Sequence, residues 1–211
     1  HTRLRTVTGV QTCALPICLP DLIGFAAQHK LKIGTITDLI HYRAATESLV
    51  VRAAERDIDT AHGKFRLVAY SDRIGGATHL ALVKGSIHPA REALVRVHQP
   101  VSVMDLLDTK SDEHSWNLNH ALSVVSRAES GAIVLLYHPE SPAELLAHAQ
   151  LGAQRTPQRN ALRTYGIGSQ ILRDLGVVKM RLLSHPRRMP SMAGFGLHVT
   201  GYLEPDQVHG T

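Results

Sequence analysis

Between Phe65 and His98 the apolar residues fall in short alternating runs, FRLVAY, HLALVKG and ALVRVH, and Gly75-Gly76 lies between the first two. A period of two puts every second side chain on one face of a strand, and a glycine pair suits a tight turn. The pattern predicts three consecutive antiparallel strands. Beyond Pro100 the spacing lengthens to that of a helix, with Leu118, Ala121, Leu122 and Val125 on one face and Gly131 placed as a carboxyl cap. The apolar run Ala132 to Tyr137 predicts a short buried strand.

Ser141-Pro142-Ala143-Glu144 has the form of a capping box with proline at the first helical position, which predicts a helix from Pro142 to about Leu151 that stops at Gly152. A polar stretch, Ala153 to Asn160, precedes a helix carrying Ile171, Leu172 and Leu175 and ending at Gly176. A strand over Val177 to Leu183, the basic turn SHPRR and a last strand with Leu197, Val199 and Leu203 complete the series. Upstream, Leu22, Ile23, Phe25 and Ala26 form an apolar helical stripe, a strand follows, and Thr37-Asp38 caps a second helix with Leu39, Ile40 and Tyr42. No internal repeat or low-complexity tract is present. The expected fold class is α+β (mixed α/β), with antiparallel strands leading into a mixed sheet flanked by helices.

Composition narrows the partners. The 211 residues are 44% apolar, enough for a real core, and carry a formal charge of +5. Aromatic residues are only 4% and no Lys/Arg run exceeds Arg187-Arg188, so an anionic small molecule is expected rather than nucleic acid. Both cysteines, Cys13 and Cys18, lie in the first eighteen residues. There VTGVQTCALPI resembles a translated sequencing-adapter oligonucleotide, and residues 1–18 are expected to be an artefact without packed contacts. A secretory signal fits less well, because Gly9, Gln11 and Thr12 interrupt the apolar run. Without that stretch the chain has no cysteine, 21 basic and 18 acidic residues, and no run long enough to cross a bilayer. A cytoplasmic protein, without membrane partner, is expected.

GKFRLVAYSDRIGGATHLALVKG, LVRVH, GAIVLLYH and RTYGIGSQILRDLGVVKMRLLSHPRR together resemble GTP cyclohydrolase II, the zinc enzyme of riboflavin synthesis, over about 150 residues. Leu19 to about Arg43 resembles the carboxyl end of 3,4-dihydroxy-2-butanone 4-phosphate synthase, which in many bacteria is fused upstream. The expected organisation is residues 1–18 as artefact, 19–45 as the synthase tail, 46–60 as a linker leading into a strand, 61–205 as the cyclohydrolase-like domain and 206–211 as a tail.

The resemblance implies a zinc-bound hydroxide that attacks the guanine ring, with loss of formate and pyrophosphate. The metal is needed because free water is a poor nucleophile at neutral pH. Aligned without gaps, the family's three zinc cysteines fall on Val101, Asp112 and His114. Valine has no lone pair to offer. Asp112 and His114 could bind zinc with a third ligand from His98, Glu113 or His120, or they could form a solvated polar turn. Zinc is expected to be absent.

Other family elements are partly kept. Arg163 matches the family's nucleophilic arginine, but Ala161 stands where an aspartate assists it. The glutamine-glutamate-glycine-arginine stretch is replaced by Pro139-Glu140-Ser141-Pro142. Arg96, Ser184 and Arg188 match nucleotide-facing positions and could cradle a phosphate. Arg96 could equally be solvated or paired with a carboxylate. His79, His138, His148, His185 and His198 are scattered and define no catalytic group.

These readings lead to one expectation: a piece of a bifunctional riboflavin-biosynthesis protein, whose degenerate cyclohydrolase-like domain scaffolds, dimerises or regulates. Its expected partners are a second copy, a riboflavin-pathway enzyme or a purine nucleotide. The alternatives are a working cyclohydrolase with a rebuilt metal site, or a sensor of a nucleotide or flavin precursor.

Overall fold

The computed structural model describes residues 19–73, 75–100, 116–137, 140–151, 161–186 and 192–208. The chain divides into two compact units, one to Leu39 and one from Ile40 onward.

In the first unit, α1 (Leu19–Gln28) buries only Ala26 and leaves Leu22, Ile23 and Phe25 exposed. It closes in a left-handed turn at Lys30 (φ 54°), with Leu31 N–H donating to Ala26 O at 2.8 Å. The strand expected after it does not form. Residues 31–35 have no neighbouring strand, and an isolated extended segment is not stable in water. The cap of α2 (Ile36–Thr46) is Thr35, not the expected Thr37-Asp38. Asp38 sits at the third helical position and accepts from Thr35 N–H at 3.1 Å, while Thr35 Oγ1 accepts from Asp38 N–H at 3.0 Å.

The second unit is built on one seven-stranded mixed sheet among the described residues: β1 (Val50–Thr60), β2 (Gly63–Asp72), β3 (Thr78–Lys84), β4 (Glu92–His98), β5 (Gly131–Leu135), β6 (Lys179–Leu183) and β7 (His198–Leu203). Their spatial order is β1-β2-β3-β5-β4-β6-β7. The first three strands are antiparallel, β3 is antiparallel to β5, and β5, β4, β6 and β7 run parallel. The mixed class read from the pattern is therefore the observed one.

One pairing differs from expectation. β4 does not pair with β3, because β5 occupies the place between them. The connection from β4 to β5 carries α3 (Leu118–Arg127), and a crossover of that kind returns the chain parallel to β4. Gly131 is not the cap of α3 either. That helix ends with Ala128 in extended conformation, and Gly131 opens β5, where a Cβ would lie 2.6 Å from Leu94 O. The glycine is required by close strand and helix packing rather than by a helix end.

Alternation distributes the apolar side chains to both faces. On one face Val68, Ala81, Val83, Val95, Ala132 and Val134 meet Ile167, Ile171 and Leu172 of α5 (Ala161–Asp174). On the other, Phe65, Leu82 and Ile133 meet Trp116 and the Leu118, Ala121, Leu122 and Val125 stripe of α3. Burial of each large aliphatic side chain contributes about 1.5–3 kcal/mol. α4 (Pro142–Leu151) begins at the predicted box, in which Ser141 N–H and Oγ both donate to Glu144 Oε2 at 2.7 Å. Gly152 lies outside the described residues, as does the stretch 1–18.

Candidate functional site

Open sheets with parallel strands bind ligands beyond the carboxyl ends of those strands, where loops diverge and backbone groups are left to be used. Here that edge is formed by the ends of β4, β6 and β7. It brings together Arg96 and His98 from β4, Ser184 after β6, Glu204 after β7, and Trp116 just before α3.

Arg96 and His98 are two apart on a strand, so both face the α3 side. Arg96 is 7% exposed and donates from Nη1 to Leu183 O at 2.8 Å and from Nη2 to Trp116 O at 3.2 Å. It is thus not the solvated strand residue that sequence also allowed. Two of its donors tie β4 to the end of β6 and to the start of α3. Trp116 is 1% exposed, donates from its indole N–H to Leu203 O at 3.0 Å, and lies with its ring centroid 4.7 Å from that of His120. Buried indoles ordinarily find such a partner. Trp116 is the lone tryptophan of a chain poor in aromatic residues, and that rarity is the signal in the sequence that marks this position.

Ser184 is half-buried, and its hydroxyl donates to the neighbouring His185 carbonyl at 3.0 Å. His185 Nδ1 lies 3.0 Å from Glu204 Oε2 in an exposed pair. The structure therefore gathers Arg96, Ser184 and two unpredicted neighbours, Trp116 and Glu204, at one sheet edge. Other histidines stand apart: His79 is buried on β3, His148 pairs with Glu140 at 2.9 Å, and His198 is exposed on β7.

Val101, Asp112, Glu113, His114, His138 and Arg188 lie outside the described residues. Ala161 and Arg163 stand in the first turn of α5, and only their backbone is described. Among the described residues, no group of three His, Cys, Asp or Glu side chains is placed to hold a metal.

Burial, then the hydrogen bond to Asp174, pushes the Tyr70 phenol well up. Glu55 is held down chiefly by its hydrogen bond from Arg66, and Glu144 by the Ser141 backbone N–H. No helix among the described residues is long and apolar enough to cross a membrane.

The edge belongs to the parallel half of a mixed α/β domain, which the chain enters through the antiparallel half. The chain belongs to the GTP cyclohydrolase II family, which matches residues 51–204. It is 44% identical over 189 residues to a 3,4-dihydroxy-2-butanone 4-phosphate synthase of Neisseria meningitidis, covering 90% of this chain and 52% of that one. It is 36% identical over 200 residues to the riboflavin biosynthesis protein RibBA of Salinispora arenicola, covering 88% and 48%. A similar solved structure is RibBX, a two-domain 3,4-dihydroxy-2-butanone 4-phosphate synthase from A. baumannii, with TM-score 0.54, 38% identity and coverage of 88% and 49%. The chain spans about half the length of the curated relatives it matches.

Proposed function

We propose that this chain is the cyclohydrolase-like part of a two-domain, cytoplasmic riboflavin-biosynthesis protein. In it, the domain from β1 to β7 no longer opens GTP and instead serves as scaffold, dimerisation surface or regulator beside a 3,4-dihydroxy-2-butanone 4-phosphate synthase domain. The observation that carries this reading is the donor set. Val101 cannot bind a metal, and no thiolate remains at positions 112 and 114, so the chemistry that makes a hydroxide at neutral pH has no support. Arg163 without the aspartate replaced by Ala161 adds to it.

Two further facts agree. The Neisseria and Acinetobacter proteins carry a region similar to this domain, and their names give the synthase activity alone. Leu22, Ile23, Phe25, Leu39 and Tyr42 of α1 and α2 are exposed, as expected for helices that belong to the core of another domain. A second copy or another riboflavin-pathway enzyme is the partner this reading calls for.

Metal analysis of the purified two-domain protein, combined with formate release from GTP, tests it. The expected result is no stoichiometric zinc and no formate. Bound zinc together with formate release would restore the cyclohydrolase reading, whereas saturable GTP binding without formate would favour a nucleotide sensor. Deleting Phe65 to Glu204 should change assembly or flavin output while leaving intrinsic synthase turnover largely intact.

A further inference from the structure

The helix α5 carries the YGIGSQILRD part of the family resemblance, and its side chains Gln170 and Asp174 lie one turn apart on one face. Neither belongs to the strand-end edge. Gln170 reaches the segment that joins α2 to β1: its Oε1 accepts from Leu49 N–H at 2.7 Å and its Nε2 donates to Glu47 O at 3.2 Å. Those two backbone groups are two residues apart and flank Ser48. They are the pair that a parallel neighbouring strand would engage through the N–H and C=O of one residue, so the carboxamide stands in for a strand residue.

Asp174 holds the chain just beyond. Its Oδ2 accepts from Arg52 Nε at 2.9 Å and from the Tyr70 hydroxyl at 2.6 Å, and its carbonyl accepts from Arg52 Nη2 at 3.2 Å. Leu49 O is in turn taken by Arg73 N–H at 2.9 Å, and Ser48 Oγ donates to Val50 O at 2.6 Å. The sequence predicts a linker leading into a strand over residues 46–60. The side chains on α5 leave little of that linker unheld.

We propose that Gln170 and Asp174 form a two-point clamp that makes Glu47–Leu49 a fixed joint between α2 and β1 rather than a flexible linker. Gln170 is the positioning residue, because its carboxamide supplies both the acceptor and the donor at this spacing. Glutamate keeps the acceptor but turns a second oxygen toward the Glu47 carbonyl, and methionine keeps the shape while losing both bonds.

Amide hydrogen exchange on the full chain separates these cases. In Gln170→Met, exchange at Leu49 should accelerate at least tenfold while the β5 amides Ile133 and Val134 keep their rates. Gln170→Glu should preserve much of the Leu49 protection, yet should speed proteolysis around Arg43 relative to the native chain. Unchanged Leu49 exchange in Gln170→Met would overturn the clamp. Equal acceleration at Leu49 and in β5 would overturn it too, since Gln170 would then support the domain as a whole and not the joint. If Gln170→Met failed to fold, Gln170→Glu would decide the matter by proteolysis: faster cleavage around Arg43 with β5 protection unchanged supports the clamp, and an unchanged cleavage rate overturns it.

Discussion

The hydroxyl of Tyr70 donates to Asp174 Oδ2 across 2.6 Å, which links β2 near its carboxyl end to the last residue of α5. Tyr70 is 1% exposed, so its ring belongs to the core while its oxygen reaches the partly exposed Arg52–Asp174 pair. Burial and the adjoining carboxylate both oppose formation of the phenolate.

A pH dependence follows from that relationship. The folded pKa lies above the unfolded value of about 10. The unfolded chain therefore releases its proton first as pH rises, and the contribution of Tyr70 is complete below pH ~10 and declines above it. Thermal melts between pH 9 and 11 should show a fall in Tm for the native chain that is smaller in Tyr70→Phe. Equal slopes for the two proteins would refute the assignment.

Gly85→Ala should be severely destabilising. Its φ is +63°, and a Cβ there would lie 2.0 Å from the Glu129 carbonyl oxygen, so backbone must move in addition to the left-handed strain. A loss of about 3 kcal/mol or more is expected in urea unfolding. Gly63→Ala is the control: φ is +109° but no atom lies within 4 Å, so strain acts without collision and the loss should be smaller.

Trp116→Ala should cost about 3–5 kcal/mol, as for other fully buried large aromatics. Trp116→Phe keeps most of the packing and loses the bond to Leu203 O, so it should cost roughly 1 kcal/mol. Chemical denaturation of both variants measures the split. A Trp116→Ala domain as stable as the native one would mean that the indole does not hold the ends of β7 and α3 together.

Arg96→Met tests whether this arginine braces or binds. Leu183 O and Trp116 O would lose their donor inside the protein, at a cost of about 1–3 kcal/mol. If Arg96 serves only as a brace, titration with GTP should give the same result before and after the change. A loss of GTP binding with stability intact would instead make it a phosphate ligand.

Much of the local structure was legible in the residues themselves. The Ser141–Glu144 box, the α3 stripe and the alternation in β2 and β3 depend on neighbours within a few positions, and short-range spacing carries that information. The mixed class and the family resemblance could be read for the same reason, from runs of sequence. Where spacing was ambiguous, the tertiary structure decided. Gly131 satisfied the sequence rule for a helix cap, yet it is required by the approach of Leu94 from a strand far away in the chain. β5 entered between β3 and β4 because sheet order depends on which strands bury one another, and no local pattern records that. Arg96 was legible as a cation, but its partners, Leu183 O and Trp116 O, are backbone groups whose positions exist only after folding. The same holds for Gln170: its sequence neighbours mark it as part of a helix, while its carboxamide acquires its role from Glu47 and Leu49, more than a hundred residues earlier.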